Sequence, residues 1–305
     1  MKLVVVGSSN TDMIIKVPRI PKPGETILGG KFSKAAGGKG ANQAVAAARS
    51  GGDVTFVARV GQDMFGDNAI QGFEENNIVT DHVFRDPEAP SGVAEIFVSE
   101  DGENSIAVAP GANSNLSPED IDNSEDAINS ADILLMQLEI PLETVQAAAD
   151  LAHEKNATII LNPAPATDLP DELLEKITIL TPNESEAELL TGVKVVDKDS
   201  AEKAAKKLQS MGVQKVIITM GKFGAYVLSD GFAGIVSGYQ VDAVDTTAAG
   251  DVFNGALSVA IAENKSLKDA VKFANAAAAL SVQKLGAQPS APGRAEVDKF
   301  IQDNN

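Results

Sequence analysis

Short apolar runs at residues 3–6, 55–60, 133–138, 158–161, 177–180 and 216–220 alternate with longer stretches of helical spacing. The runs are rich in Val, Ile and Leu and do not themselves alternate with polar residues, the pattern of strands buried on both faces. The intervening stretches, notably 41–50, 142–155, 199–211, 250–263 and 267–284, are enriched in Ala, Glu, Lys and Leu. Strand, helix and strand in succession pack as a βαβ unit with parallel strands. The pattern therefore predicts an α/β fold of three layers, α/β/α, around a doubly wound, mostly parallel sheet.

Two stretches break that rhythm. Residues 12–36 and roughly 90–109 hold strand-like pieces, at 13–17 and 93–98, punctuated by Pro and Gly and without a helix of crossover length. They predict a small accessory β-sheet that projects from the core as a lid. No repeat, low-complexity tract or linker divides the sequence, so residues 1–305 read as one catalytic domain carrying that lid.

The charge balance narrows the partners. With 25 basic and 43 acidic residues the net charge is −18, and no basic block is concentrated enough to hold a phosphate backbone or an anionic lipid surface. Neither a nucleic-acid nor a membrane partner is expected. The apolar start of the sequence is too short for a signal peptide, and no later run is long enough to span a bilayer. The expected location is cytoplasmic. The chain has no cysteine and only two histidines, His82 and His153, both read as surface residues, which removes thiol nucleophiles, Cys-ligated zinc and most His-dependent triads.

In open α/β sheets ligands bind beyond the carboxyl ends of the strands. Ala36-Gly37-Gly38-Lys39-Gly40-Ala41-Asn42-Gln43 places glycines before a helix, where a ligand can approach free backbone N–H groups. It is neither a Walker A loop nor a dinucleotide fingerprint, and the same spacing also suits a plain loop closing onto a helix. Asp245-Thr246-Thr247-Ala248-Ala249-Gly250-Asp251 opens another helix. There, successive N–H groups would form an anion hole beside the Asp251 carboxylate, the pairing that phosphoryl transfer needs, although a helix cap at Thr246 or Thr247 would leave the same trace. Asn183-Glu184-Ser185-Glu186 puts Asn183 and Glu186 on one side of a first helical turn, suited to hydrated Mg²⁺ or phosphates, or to the helix dipole alone. Thr219-Met220-Gly221-Lys222-Phe223-Gly224 turns through two glycines, either around a nucleotide phosphate or simply as a hairpin.

Taken in order, these segments, with Asn10-Thr11-Asp12, Gln137-Leu138-Glu139, Asn162-Pro163-Ala164-Pro165 and Gly286-Ala287-Gln288-Pro289-Ser290, resemble the ribokinase or PfkB family of carbohydrate kinases over the whole chain. The resemblance implies ATP-dependent phosphorylation of D-ribose at its 5-hydroxyl, with Asp251 as general base and the N–H groups of Ala248, Ala249 and Gly250 stabilising the transferring phosphoryl group. It implies that Asn10, Thr11, Asp12, Gly38, Lys39, Gly40, Ala41, Asn42 and Glu139 surround the sugar. Asn183, Glu186, Thr219, Met220, Gly221, Lys222, Phe223, Gly224 and Asn275 would contact ATP, with Glu186 helping to place Mg²⁺. A monovalent cation, K⁺ in the main, would be held by Asp245, Thr247, Ser281, Lys284, Gly286 and Ser290, several through backbone carbonyls, and the lid would pair two chains into a homodimer.

One position departs from much of the family, which has Gly where this chain has Ala248; an Ala held at positive φ costs about 1 kcal/mol. Sister kinases acting on 2-deoxyribose, fructose or another small hydroxylated substrate share the mechanism. A small neutral sugar is favoured because Lys39 is the only basic residue in the sugar-side motifs and the chain has no Trp and two Tyr. A nucleotide-dependent dehydrogenase would need glycines that Gly7-Ser8-Ser9-Asn10 lacks. A non-catalytic sugar sensor would have no use for Asp251 beside an anion hole.

Overall fold

The computed structural model describes residues 2–101 and 103–304; Gly102, within the second accessory segment, lies outside the described residues. Nine strands form the main sheet: β1 (Lys2–Val6), β4 (Asp53–Gly61), β5 (Val83–Asp86), β8 (Ile133–Met136), β9 (Thr158–Leu161), β10 (Ile179–Leu180), β11 (Lys215–Thr219), β12 (Ala225–Ser229) and β13 (Phe232–Val236). Their order is β13-β12-β11-β10-β9-β8-β1-β4-β5. From β11 to β5 every pairing is parallel, and β12 runs antiparallel between β11 and β13.

The apolar runs are continuous because both faces of the sheet are covered. Leu3 and Val5 join one buried cluster with Phe56, Leu135, Val252 and Phe273, while Val4 and Val6 join the opposite one with Leu134, Met136, Val145 and Ile159. Helices Lys39–Arg49, Ala249–Ala262 and Leu267–Ser281 cover the first face, and Leu142–Glu154 and Lys198–Ser210 the second. Burying β-branched side chains on both sides of each strand is the main stabilising force of such a layer.

The accessory segments form a separate sheet of order β3-β2-β6-β7, from β2 (Asn10–Lys16), β3 (Lys31–Gly37), β6 (Gly92–Val98) and β7 (Asn104–Ala109). Its register puts Asp12, Ile14, Ala94, Ile96, Ile106 and Val108 on one face.

Some elements differ from the sequence-based expectation. The strand at 177–180 is reduced to β10, whose two residues follow Ile177, itself buried in the core. β5 has only half its positions fully buried, and β12 and β13 form a second hairpin, across Asp230-Gly231, to which the sequence pattern assigns no element. The helix Met64–Glu75 carries two internal glycines, Gly66 and Gly72, that mask its period, yet Asp63 caps it by accepting from Gly66 N–H at 2.8 Å. His82 is only partly exposed, its Nε2 lying 3.7 Å from Asp126 Oδ1.

Candidate active site

The chain enters the sheet at an interior position: β1 is flanked by β4, which follows it on one side, and by β8, which starts the larger part of the sheet on the other. That reversal opens a crevice beyond the carboxyl ends of β1 and β8. The residues just after β1 and β8 meet there. Ser8 Oγ donates to Glu139 Oε2 at 2.6 Å, and the same oxygen accepts from Lys39 N–H at 2.9 Å, so one carboxylate ties both strand ends to the first turn of helix Lys39–Arg49. Gly40 must be glycine, because a Cβ would stand 2.5 Å from Ser8 N and 2.7 Å from Gly7 Cα. Gly38, at φ 88°, would carry a Cβ 2.7 Å from Asn10 N.

Around this point the structure gathers Asn10, Asp12, Gly38, Lys39, Asn42, Glu139 and Asp251. Asn10 Oδ1 accepts from Asn113 Nδ2 at 2.8 Å, and Asn113 also ties down the Ser9 backbone. The Asp12 carboxylate accepts no hydrogen bond from the described residues and is buried; desolvation, then Glu139 and Asp251, push it up to about 6. Burial draws the Lys39 ammonium down, but Asp251, Glu139 and Glu186 outweigh it, so Lys39 stays charged. Thr11 points to the other face of β2, lining a small cavity of about 160 Å³ with Lys34, Phe65 and Asn68. Ala41 is fully buried and packs within the core.

Asp251 lies in the first turn of helix Ala249–Ala262. Its Oδ2 accepts from Asn42 Nδ2 at 2.9 Å and its Oδ1 from Gln43 Nε2 at 3.0 Å. Burial raises its carboxyl, while Lys39, Asn42 and Gln43 oppose the rise. The buried Asn42 Oδ1 has no partner, so it is free to accept from a ligand hydroxyl. Ala248 caps the helix at φ 59°, the left-handed conformation anticipated for it. Its own carbonyl accepts from Val252 N–H at 2.9 Å; Ala249 N–H turns back to the Thr246 carbonyl at 3.2 Å. Gly250 N–H has no acceptor among the described residues, and nothing lies within 4 Å of where its Cβ would stand.

On the far side of Gly250 opens a cleft of about 630 Å³, lined in part by Asn183, Thr219, Gly221, Lys222, Gly224 and Asn275. Its wall is apolar at Tyr239, Val241, Ala243, Phe253, Ala278 and Val282. Two expected ATP contacts stand elsewhere: the Met220 side chain is buried in the core and Phe223 is 61% exposed. The turn Gly221–Phe223 closes the β11–β12 hairpin and, through Gly221 and Lys222, lines one side of the cleft. Asn275 spends both amide hydrogens on the Val236 and Ser237 carbonyls, at 3.1 and 3.2 Å, leaving its oxygen to accept.

Asn183 and Glu186 form a reciprocal cap: Glu186 Oε2 accepts from Asn183 N–H at 2.8 Å, and Asn183 Oδ1 from Glu186 N–H at 2.9 Å. Burial raises the Glu186 carboxyl against the Asn183 N–H and Lys39. No group of three or more His, Asp or Glu side chains among the described residues is arranged to hold a metal by itself. Asp245 joins two loops, accepting from Thr247 N–H and Gly286 N–H, both at 2.9 Å. Ser281 and Ser290 donate their hydroxyls to the Ala278 and Ala287 carbonyls, at 2.9 and 2.7 Å, which leaves each hydroxyl oxygen able to accept or to ligate. The Lys284 ammonium faces Glu296 at 3.2 Å, so only its backbone is available to such a site.

Sequence reasoning assigned no role to Ser8, Gln43, Asn113, Gln137 or Asn162. Gln43, Gln137 and Asn162 lie within the segments that carry the family resemblance, and their burial as polar residues is the signal that marks them.

Residues 1–294 match the model of the pfkB family carbohydrate kinases. The ribokinase of Haemophilus influenzae is 48% identical over 300 residues, covering 98% of both chains. The deoxyribokinase of Salmonella typhi is 38% identical over 305 residues, covering all of both. The structure of Arabidopsis thaliana ribokinase complexed with ribose and ATP superposes with a TM-score of 0.91 at 37% identity, covering 98% of each chain.

Proposed function

The chain belongs to the pfkB family of carbohydrate kinases, and from that membership and the arrangement of its site we infer that it transfers the γ-phosphoryl group of ATP to the 5-hydroxyl of D-ribose. The observation that carries the reading is the position of two neighbouring residues: Asp251 faces a pocket of amides and carboxylates suited to sugar hydroxyls, while Gly250 lines the cleft suited to a nucleotide. Base and anion hole thus stand on one helical turn between the two ligands, as direct in-line transfer requires.

In this reading Asp12, with no donor of its own, accepts from a sugar hydroxyl, as do the free Asn42 oxygen and Asn10. Asp251 takes the proton of the 5-hydroxyl as that oxygen attacks phosphorus. The free Gly250 N–H, with the helix dipole behind it, stabilises the charge that gathers on the phosphoryl oxygens; Ala248 shapes the turn, and Ala249 contributes once its bond to Thr246 opens. Asn183, Thr219 and the Gly221–Phe223 turn hold the phosphates, and Asn275 and the apolar wall take the base.

A divalent metal such as Mg²⁺ neutralises the nucleotide phosphates when bound. A buried Glu186 fits a contact to it through water, in keeping with a metal that arrives on the nucleotide. The oxygens of Asp245, Thr247, Ser281, Gly286 and Ser290 fit a monovalent cation, K⁺ for preference, whose charge would act on the neighbouring anion hole. The small sheet is the lid: its face beside Asp12 is apolar, and Ile106 and Val108 are 55% and 52% exposed. That area supports both closure over the sugar, which excludes water as a rival acceptor, and pairing of two chains into a homodimer. No helix among the described residues is long and apolar enough to cross a membrane; with the acidic charge, this supports a cytoplasmic enzyme.

The test is ADP release from MgATP with D-ribose, 2-deoxyribose, fructose, fructose 6-phosphate and adenosine, each with K⁺ and with Na⁺. Ribose-selective turnover stimulated by K⁺ is expected. Preference for 2-deoxyribose would move the chain beside the Salmonella typhi relative and overturn the assignment of the sugar pocket.

A further inference from the structure

Gln43 is fully buried on helix Lys39–Arg49, and burying a primary amide is costly unless each of its polar atoms is matched. Here all are. Gln43 Nε2 donates to Asp251 Oδ1 and to Asn162 Oδ1, both at 3.0 Å, and Gln43 Oε1 accepts from Gln137 Nε2 at 2.6 Å.

The direction of every amide in this chain is fixed from one end. Asn162 faces the Thr181 carbonyl at 3.2 Å. A backbone carbonyl only accepts, so Asn162 must turn its nitrogen there and its oxygen toward Gln43. Gln43 must then present nitrogen to Asn162 and Asp251, and oxygen to Gln137. Reversing Gln43 would set its oxygen against both Asp251 Oδ1 and Asn162 Oδ1, a repulsive contact in a dry interior.

The amides also divide the two oxygens of Asp251. Asn42, on Oδ2, keeps an unpartnered oxygen and belongs to the sugar pocket, whereas Gln43, on Oδ1, has no atom left over for a ligand. We propose that Gln43 is a positioning residue for phosphoryl transfer: held in one orientation by Asn162 and Gln137, it pins Asp251 Oδ1 and so aims the carboxylate at the acceptor hydroxyl. The inference rests on the reading of Asp251 as the general base.

The Gln43 hydrogen bond is stronger to the ionised carboxylate than to the acid, so its loss favours protonated Asp251. The other charged groups around Asp251 are Lys39, Glu139, Asp12 and Glu186, and Gln43 makes no hydrogen bond to any of them, its partners being Asn162, Asp251 and Gln137.

The test is Gln43→Met, similar in length and without the donor. Turnover should fall about ten- to a hundredfold, the usual worth of a hydrogen bond to a charged group, while ribose KM changes less than about threefold. The acid limb of the kcat–pH profile should move to higher pH, an effect that loosened packing would not produce. If Q43M does not fold, Asn162→Ala, which frees the Gln43 amide to reverse, is read by the same kcat, KM and pH limb and should move them in the same directions. Unchanged kcat and pH limb, or equal proportional effects on kcat and KM with the limb fixed, would overturn the proposal. Asp251→Asn separates the two levels of the argument: if D251N keeps turning over, the base assignment fails and the inference with it, whereas an inert D251N beside a fully active Q43M sinks the positioning role alone.

Discussion

Asn42 and Asp251 lie 209 positions apart in sequence, yet Asn42 Nδ2 stands 2.9 Å from Asp251 Oδ2. The contact joins the first turns of two helices that pack side by side on one face of the sheet. One of them brings the sugar-side amides, the other the carboxylate and the open N–H of Gly250. Asp251→Asn keeps the shape of this junction and removes its basicity. Turnover should fall by about 10²- to 10⁴-fold, with ribose affinity by calorimetry within a few-fold of the parent; equal loss of both would show that Asp251 only binds.

Asp12 sets a pH-dependent cost. Its carboxyl is raised from 3.8 to about 6, so the folded chain holds this proton more tightly than the unfolded one. The associated stability is complete below about pH 4 and is lost as pH rises through about 6. Asp12→Asn should therefore melt with the parent at pH 4 and gain on the order of 2 kcal/mol over it at pH 7.5, while binding ribose more weakly. Urea midpoints at the two pH values decide it; a gap of the same size at both would refute the electrostatic origin.

Ala248 sits at φ 59° as the cap of helix Ala249–Ala262. Glycine adopts that conformation without strain, so Ala248→Gly should raise stability by up to about 1 kcal/mol. Activity should stay within about threefold, since the N–H groups keep their places. A lower urea midpoint would mean that the turn is not strained by its side chain.

Gly40→Ala should do the reverse. Its Cβ would be 2.5 Å from Ser8 N and 2.6 Å from Gly7 C, all backbone that cannot step aside. A loss of about 2 kcal/mol or more is expected, together with failure to bind ribose, because Ser8 and Lys39 could no longer share Glu139. Thermal melting and ribose titration would report both; a variant that binds normally would show that the strand end yields without cost.

The sheet was legible because its runs are apolar on both faces, and the helices Lys39–Arg49 and Ala249–Ala262 because glycines and polar residues mark where they begin. β5 was not, since its four residues, Val83-Phe84-Arg85-Asp86, are half polar and pair along only one edge. The motif at Asn183 to Glu186 held two meanings in one pattern, and the structure realises the reciprocal cap while leaving that pair beside the cleft. Gln43, Gln137 and Asn162 resisted assignment for a different reason. An amide gains its role from what it faces, and these three come from a helix, from the residue after β8 and from the residue after β9.

The interior place of β1, paired along both edges, also governs how the chain comes together in time. Its partners are β4 on one side and β8 on the other, and β8 begins only at Ile133. During synthesis, one edge of the first strand to emerge must wait, apolar and unpaired, until well over a third of the polypeptide has left the ribosome, and such edges are where nascent chains aggregate. Contacts this remote in sequence slow folding. Shielding by a chaperone, or slow elongation before Ile133, should therefore govern the yield of native enzyme more than its final stability does.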